Sequence, residues 1–352
     1  MINLRLFFYL IIGFCSCSCQ FADSDLLETT EALPLSDTLK SREISIVSNT
    51  GLLNPVKIIN VDDTYLVISD NREEDLFQVY SLPELDYLYS WGRQGRGPDE
   101  FMFIPVVEIN TKNDEITLYE SGLQQLRIYT VTDTAFVLKE EMPLSYENQI
   151  DPLTHIQRLN DTLYIADYGT AFEDTNHEYV ALRPGKNEPL FTFGKYPKTD
   201  LEGMERYFRY SKTNAASPNG ERFAAFYLYH NLIKIFNPKG EELKAIQIND
   251  PFLSVDPLED DFFRFRFLLS ATETYLYSLG VNTTNQEFSD NIESIKTSLE
   301  IWNWDGQPVY RSVFDEPVHG FTVSEKYNRI YTFSSLETHK IFEYELPGIL
   351  EF

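Results

Sequence analysis

The stretch WGRQGRGPDEF, residues 91–101, decides how the chain is read. Three glycines (Gly92, Gly95, Gly97) and two arginines (Arg93, Arg96) run into Pro98-Asp99-Glu100-Phe101. Such a stretch is either a phosphate-cradling loop or the junction where one structural repeat ends and the next begins. A phosphate loop needs a Gly-rich turn between a strand and a helix, with Lys-Ser/Thr for a P-loop or a Gly-x-Gly-x-x-Gly spacing for a dinucleotide. Here Pro98 and an aromatic strand follow, and neither pattern is present. The stretch is therefore expected to be a junction between repeats.

Upstream lie four short strand signals, KIINV (57–61), TYLVIS (64–69), FQVYSL (77–82) and YLYSW (87–91). Asp62-Asp63, Asp70-Asn71 and Pro83-Glu84 separate them, residue types that favour turns. Downstream the pattern restarts with VVEIN (106–110), EITLYE (115–120), QLRIYTV (125–131) and FVLKEEM (136–142). Looser sets of four fill 155–194, 210–248 and 267–314, and a set of three, HGFTVS, RIYTFSS and KIFEYEL, fills 319–346. The set starts lie roughly 50 residues apart, the spacing of propeller blades. REISIVS (42–48) precedes the first set and belongs to no other. Placed beside KIFEYEL it supplies the missing strand and leaves no bare sheet edge. The expected fold is therefore all-β, a six-bladed β-propeller of four-stranded antiparallel blades, the last blade closed by the N-terminal strand. No sustained 3.6-residue apolar period argues for helical layers. In this reading WGRQGRGPDEF crosses from an outer to an inner strand, its glycines admit positive φ angles, Phe101 plugs between sheets and Pro105 opens the next strand.

The start, MINLRLFFYLIIGFCSCSCQ, has a single charge at Arg5, a short apolar core and then small residues, the layout of a secretory signal. The apolar run is shorter than the roughly 20 residues a membrane-spanning helix needs. All 3 cysteines, Cys15, Cys17 and Cys19, sit here, so the mature body has no thiol for a disulfide, a zinc site or a nucleophile. Cysteines gathered at the end of a signal resemble a lipoprotein cleavage box. The lipidated residue is expected to be Cys19, with Cys17 as the alternative. Residues 1–19 are then a lipoprotein signal peptide, 20–40 an acidic, flexible tether, and 41–352 the propeller domain.

The segment GRQGRGPDEFMFIPVVEINTKNDEITLYESGLQQLRIYTV resembles an NHL-type repeat, in which glycines, Glu-Phe, Pro, an apolar strand, an acidic turn and Arg-Ile-x-x-Tyr succeed one another. Together with the signal, the chain resembles the six-bladed, TolB-like propeller lipoproteins of Bacteroidetes. That resemblance implies the fold and an outer-membrane lipoprotein, periplasmic or surface-exposed, and it implies little about activity.

The formal net charge of −26 argues against nucleic acid, which requires a basic face, and restricts any membrane attachment to the lipid. In a propeller, the blade-to-blade connections and the loops between second and third strands share one face, and long loops held by a scaffold are where binding resides. Arg93, Arg96, Arg206, Tyr207, Arg209, Arg264 and Arg266 map to the connections, and His155 and His319 to the starts of inner strands. A mouth ringed by these groups suits an anionic or polyhydroxylated ligand through forked hydrogen bonds and stacking. The alternative for each arginine is a structural pair with a nearby acid such as Glu100, Glu205 or Asp261. No catalytic constellation stands out: there is no Gly-x-Ser-x-Gly and no close pair among the 5 histidines. No cofactor is expected. Calcium would need several converging oxygens, and the densest acidic loop, DNREED (70–75), lacks the EF-hand spacing. The expectation is a monomeric, non-catalytic binding module for an envelope protein or a glycan. The rival is a metal-dependent, lactonase- or lyase-like propeller enzyme with its site at the channel.

Overall fold

The computed structural model describes residues 27–45, 54–71, 74–97, 100–102, 106–108, 114–147, 149, 153–168, 176–253, 262–291, 294–337, 339–348 and 350. The expected signal peptide with Cys17 and Cys19, the first part of the tether, Pro105 and the middle of DNREED lie outside them. Strands form where β-branched and aromatic residues alternate, because such side chains pack on a pleated surface. Blade 1 runs Pro55–Val61, Tyr65–Asp70, Glu74–Ser81, Tyr87–Gln94. Blade 2 runs Val106–Glu108, Glu115–Glu120, Gln125–Val131, Phe136–Pro143, and blade 3 Gln157–Asn160, Leu163–Asp167, His177–Leu182, Phe191–Lys195. Blade 4 is Lys212–Ala216, Phe223–Tyr227, Leu232–Phe236, Glu242–Asn249, and blade 5 Arg264–Ala271, Tyr275–Thr283, Ser298–Asn303, Pro308–Val313. Blade 6 is Gly320–Ser324, Arg329–Phe333 and Lys340–Glu345, completed by Arg42–Ser45, whose Glu43 pairs antiparallel with Phe342. The sheets are antiparallel within each four-strand set, and the ring closes as the strand pattern predicts.

Adjacent blades share their cores. Ile59, Val67, Phe77 and Val79 of blade 1 pack with Ile116, Leu118, Tyr129 and Phe136 of blade 2. On the other side, the Asn60 amide donates to Thr322 Oγ1 (3.1 Å) and its side-chain Nδ2 to the Val323 carbonyl (2.9 Å), joining the first and last inner strands. Two seven-residue helices, α1 (Gly203–Arg209) and α2 (Asn285–Asn291), lie inside long loops and add no layer to the body.

The junction at 91–101 behaves as a crossing with one addition. Glu100–Phe101 pairs parallel with Arg93–Gln94 and forms a fifth strand on blade 1. Phe101 is fully buried, edge-on to Trp91 (5.7 Å) and under the Arg127 guanidinium (5.4 Å). Arg127 in turn donates to the Glu100 carbonyl (3.2 Å) and pairs with Glu120 and Glu141. Of the three junction glycines only Gly92 takes a positive φ, +82°. Gly95 and Gly97 serve through lack of bulk: a Cβ on Gly95 would sit 1.9 Å from Glu100 Oε2, and the Gly97 amide donates to that oxygen at 2.7 Å. The anion this Gly-rich turn holds is the chain's own Glu100 carboxylate, kept below its usual pKa first by the Gly97 amide, against opposing desolvation, and then by Arg93.

The expected tether, residues 20–40, differs from the structure over residues 27–40. Leu27–Glu31 is a strand, parallel to Glu242–Asn249 and outside it, so blade 4 has five strands. Beyond it the Ala32 amide donates to Asn249 O (2.8 Å), Ser36 to Arg311 O (2.8 Å) and Leu39 to Val313 O (2.8 Å). The segment therefore straps blades 4, 5 and 6 together before closing the ring. Its polarity, LETTE, misled the sequence reading. An outermost strand gains its pairing from the backbone and needs few apolar side chains, and here only Ala32 is buried in the adjoining core.

Candidate functional site

Antiparallel alternation places the blade-to-blade connections and the second-to-third-strand loops on one face, here the crossover face. The remaining tight turns define the opposite turn face. Two groups of side chains gather on the crossover face over blades 3, 4 and 5.

The first starts at His155, two residues before the inner strand of blade 3. Hairpin register pairs Gln157 with Ile165, which sets residue 155 beside residue 167. His155 Nδ1 lies 2.8 Å from Asp167 Oδ2, and the imidazole is half exposed while Asp167 is buried. Asn214 Nδ2 donates to Asp167 Oδ1 (3.2 Å), and Tyr179 Oη donates to Asn214 Oδ1 (2.9 Å). Burial pushes the Asp167 carboxyl up, but His155, Lys212 and Asn214 together outweigh it and hold it below the usual range. His155 has φ +48°, a left-handed conformation that costs a β-carbon-bearing residue energy and needs support from its surroundings.

Behind this pair lies a buried cation. Lys212 faces the rings of Tyr179 (5.0 Å), Tyr196 (5.3 Å) and Tyr227 (5.8 Å). Glu178 is shared between Lys212 (3.6 Å), Lys234 (3.1 Å) and the Tyr227 hydroxyl, which donates to it. Burial pulls Lys212 down, and the Glu178 and Asp167 carboxylates more than restore it. Burial likewise drives Tyr196 up to about 12. Arg206 of α1 stacks over the outer side of Tyr196 at 4.8 Å. A seven-residue helix is marginal alone. Arg206 and Arg209 in the last turn complement its dipole, and the Ser211 hydroxyl caps the Phe208 carbonyl (2.8 Å).

The second group continues from α1 across blade 4 to α2. The Arg209 guanidinium lies 5.3 Å from Phe262, which meets Tyr229 edge-on (5.2 Å, 89°). Arg264 lies between Tyr229 (5.1 Å) and Phe288 (4.2 Å). It donates to the Tyr229 hydroxyl (2.8 Å) and Asn285 Oδ1 (3.2 Å), and it pairs with no carboxylate among the described residues. Burial lowers its pKa. The sequence Thr284-Asn285-Gln286-Glu287 starts α2 as a capping box would. The Glu287 amide donates to Thr284 Oγ1 (3.1 Å), while the Glu287 carboxylate accepts from Thr283 (2.8 Å).

Of the residues expected at the mouth, His155, Arg206, Tyr207, Arg209 and Arg264 are on this face over blades 3 to 5. Tyr207 is half-buried in α1, close enough to Lys212 to influence its charge. His319 starts the inner strand of blade 6, where its Nδ1 accepts from the Ser335 amide (3.0 Å), away from both groups. Arg93 and Arg96 are at the outer edge of blade 1, because the crossing adds an outer strand before turning inward. Arg93 is paired with Glu100 at 2.5 Å, and Arg96 is exposed. Arg266 is 2% exposed, bonded to Glu300 (2.6 Å) and Asn231 Oδ1 (2.6 Å). Gly280 lies opposite it and leaves room for the Glu300 carboxylate. Sequence reasoning missed Asp167, Lys212, Tyr196, Tyr229, Phe262 and Phe288. The register of the blade 3 hairpin carried the signal for Asp167, but the aromatic partners come from segments far apart in the chain.

Two other concavities are lined by ion pairs. A cleft of about 400 Å³ between the strap and blades 5 and 6 is lined by Arg42 and Arg329, both on Glu343 (3.5 and 3.1 Å). One of about 280 Å³ between blades 2 and 3 is lined by Arg158, paired with Glu115 (3.2 Å) and Asp161 (2.6 Å). Among the described residues no three His, Cys, Asp or Glu side chains converge as metal ligands. No described helix is long and apolar enough to cross a membrane.

The family model described as TolB-like 6-blade propeller-like matches residues 38–237. No curated protein matches the sequence. Among solved structures, a member of the DUF4221 family from Bacteroides vulgatus is similar at 8% identity and a TM-score of 0.62, over 88% of this chain and 96% of that one. A Bacteroides fragilis protein described as exported is similar at 11% identity and a TM-score of 0.52, over 91% of this chain and 98% of that one.

Proposed function

The chain belongs to the TolB-like 6-blade propeller-like family, and from that premise we propose that it is a lipid-anchored, extracytoplasmic recognition module that holds an acidic glycan on its crossover face without transforming it. The observation that carries this reading is the run of guanidinium groups against aromatic faces: Arg206 on Tyr196, Arg209 on Phe262, and Arg264 between Tyr229 and Phe288. Aromatic rings stack on sugar faces. Guanidinium groups fork onto carboxylates. In a chain of net charge −26, a half-buried Arg264 whose hydrogen-bond partners among the described residues, Tyr229 and Asn285, are neutral stands out as a place where an added carboxylate gains attraction. His155, backed by Asp167, adds a polar group at the edge of the same area. The anchor follows from the signal-like start with Cys19, or alternatively Cys17, and an exported placement accords with the description of the Bacteroides fragilis neighbour.

The test is calorimetric titration of the protein with polygalacturonate and with neutral dextran. The expected result is binding to the acidic polymer alone, weakened about tenfold or more, near 1.4 kcal/mol, by Arg264→Ala and by Phe288→Ala at unchanged melting temperature. Equal affinity for both polymers, or undiminished binding by both variants, would overturn the reading.

A further inference from the structure

The strap fixes which way the molecule stands. We infer that the turn face is directed at the membrane and the crossover face away from it. This rests on the anchor being a lipidated Cys19 near the start of the mature chain.

Leu27–Glu31 is parallel to the outer strand of blade 4, with Leu27 opposite Ala245 and Glu31 opposite Asn249. That outer strand, Glu242–Asn249, begins at the turn face and ends where the connection to blade 5 leaves the crossover face. The strap therefore enters from the turn face and climbs. Eight Cα steps separate Cys19 from Leu27, a reach of at most about 29 Å. Leu27 stands three residues above the first residue of the outer strand, about 10 Å, so about 19 Å of chain clears the turn face. The opposite arrangement needs a reversal, and a turn takes about four residues. The remaining steps reach about 14 Å, against about 13 Å from Ala245 to Asn249. The anchor would end level with the strand tip, beneath the connections that crown that end, and the bilayer would bury them.

Charge is compatible with the inferred stance. The turns of the lower face carry Asp63, Glu84, Asp161, Glu241, Glu273 and Asp305, which anionic headgroups repel. The slack of about 19 Å exceeds the screening length of about 8 Å at physiological salt, so the repulsion sets a stand-off and does not oppose attachment. The guanidinium groups of the crossover face then point outward, where a ligand arrives.

The experiment measures energy transfer from single labelled cysteines to a rhodamine-labelled lipid. The full chain is expressed as its precursor and reconstituted in phosphatidylethanolamine/phosphatidylglycerol vesicles. Glu84→Cys and Lys239→Cys report on the turn face, Glu205→Cys and Asp290→Cys on the crossover face. All four positions are exposed, and the parent chain labelled in parallel sets the background. Quenching at least twofold stronger for the first pair is expected. Equal quenching, or the reverse order, in chains that float with the vesicles overturns the orientation and leaves the anchor standing. Chains that do not float overturn the anchor and the orientation with it, while the glycan titration above is decided separately.

Discussion

Two buried clusters of charge flank blade 4, built from similar parts with different outcomes. Between blades 4 and 5, Arg266 and Arg311 share Glu300 (2.6 and 3.5 Å), Arg311 also reaches Asp250 (2.9 Å), and its guanidinium donates to Leu33 O of the strap (3.2 Å). Every one of these ionic side chains is 5% exposed or less. Between blades 3 and 4, Lys212 and Lys234 share Glu178, yet the chain of contacts continues through Asp167 to a half-exposed His155 and through Tyr196 to Arg206 on α1. The first cluster is closed and fastens blades to the strap. The second is open at one end, and its open end is on the face with the long loops. Arginine at a blade junction is thus no sign of a ligand. What separates the two clusters is whether the chain of paired groups ends inside the core or runs out to a side chain in contact with solvent.

The comparison breaks most sharply at Glu300. Glu300→Ala leaves Arg266 without its carboxylate and Arg311 with one of two. Removing one partner from a buried pair costs about 3–5 kcal/mol, so denaturant unfolding is expected to show a loss of that size while the variant still folds at low temperature. A loss below about 1 kcal/mol would mean that water reaches this cluster and that its closure is illusory.

His230 and Asn231 sit side by side in the tight loop of blade 4, one in each cluster. The His230 ring stacks on Tyr210 (4.7 Å), and Asn231 accepts from Arg266. Burial, aided by Arg209, pushes the His230 pKa down to about 4. The neutral ring is the folded form, so its stabilisation is full above the unfolded value of about 6.5. It is lost as pH falls from there through about 4. The shift corresponds to about 3 kcal/mol at most. Unfolding measured across that window is expected to steepen in the wild type and to flatten in His230→Phe, which keeps the stack and cannot take a proton. Parallel pH profiles for the two proteins would remove His230 from the account.

Asp167→Asn tests the open cluster at smaller magnitude, about 1–3 kcal/mol for loss of a charge-assisted bond to His155. Because the Asp167 carboxyl is held below its usual range, its contribution is present above about pH 4 and disappears as pH falls through the lowered value. The stability gap between wild type and variant is therefore expected to close as pH falls below about 4. A gap that closes above pH 5 would show that another group carries the effect.

How far the sequence foretold this arrangement follows from which interactions are local. The blades were legible because alternation and turn residues recur within each hairpin, and Arg42–Ser45 was legible as a strand without a set. Leu27–Glu31 was not, because an outermost strand held by backbone bonds keeps a polar composition. Arg264 and Arg266 look alike in RFRF and both sit at the start of one strand. Only the partners differ: Gly280 and Glu300 for Arg266, Tyr229 and Phe288 for Arg264, all from other strands or loops. A residue's place in a connection is written in its own neighbourhood, while its charge balance is written elsewhere.

The smallest expected effect lies at the junction between blades 1 and 2. Arg96 is exposed on the outer edge of blade 1, and Arg93 makes an exposed pair with Glu100, a kind of contact that contributes little. Arg93→Ala/Arg96→Ala is expected to leave both the melting temperature and polygalacturonate binding unchanged, in contrast to Arg264→Ala. The same turn is sensitive to bulk, however. Gly95→Ala would drive a methyl group into Glu100 Oε2 and displace the carboxylate that the Gly97 amide holds, loosening the strand that carries Phe101. A binding loss in the double arginine variant comparable to that of Arg264→Ala would place the recognition surface at the outer edge, and the open cluster over blades 3 and 4 would then be one more fastening between blades.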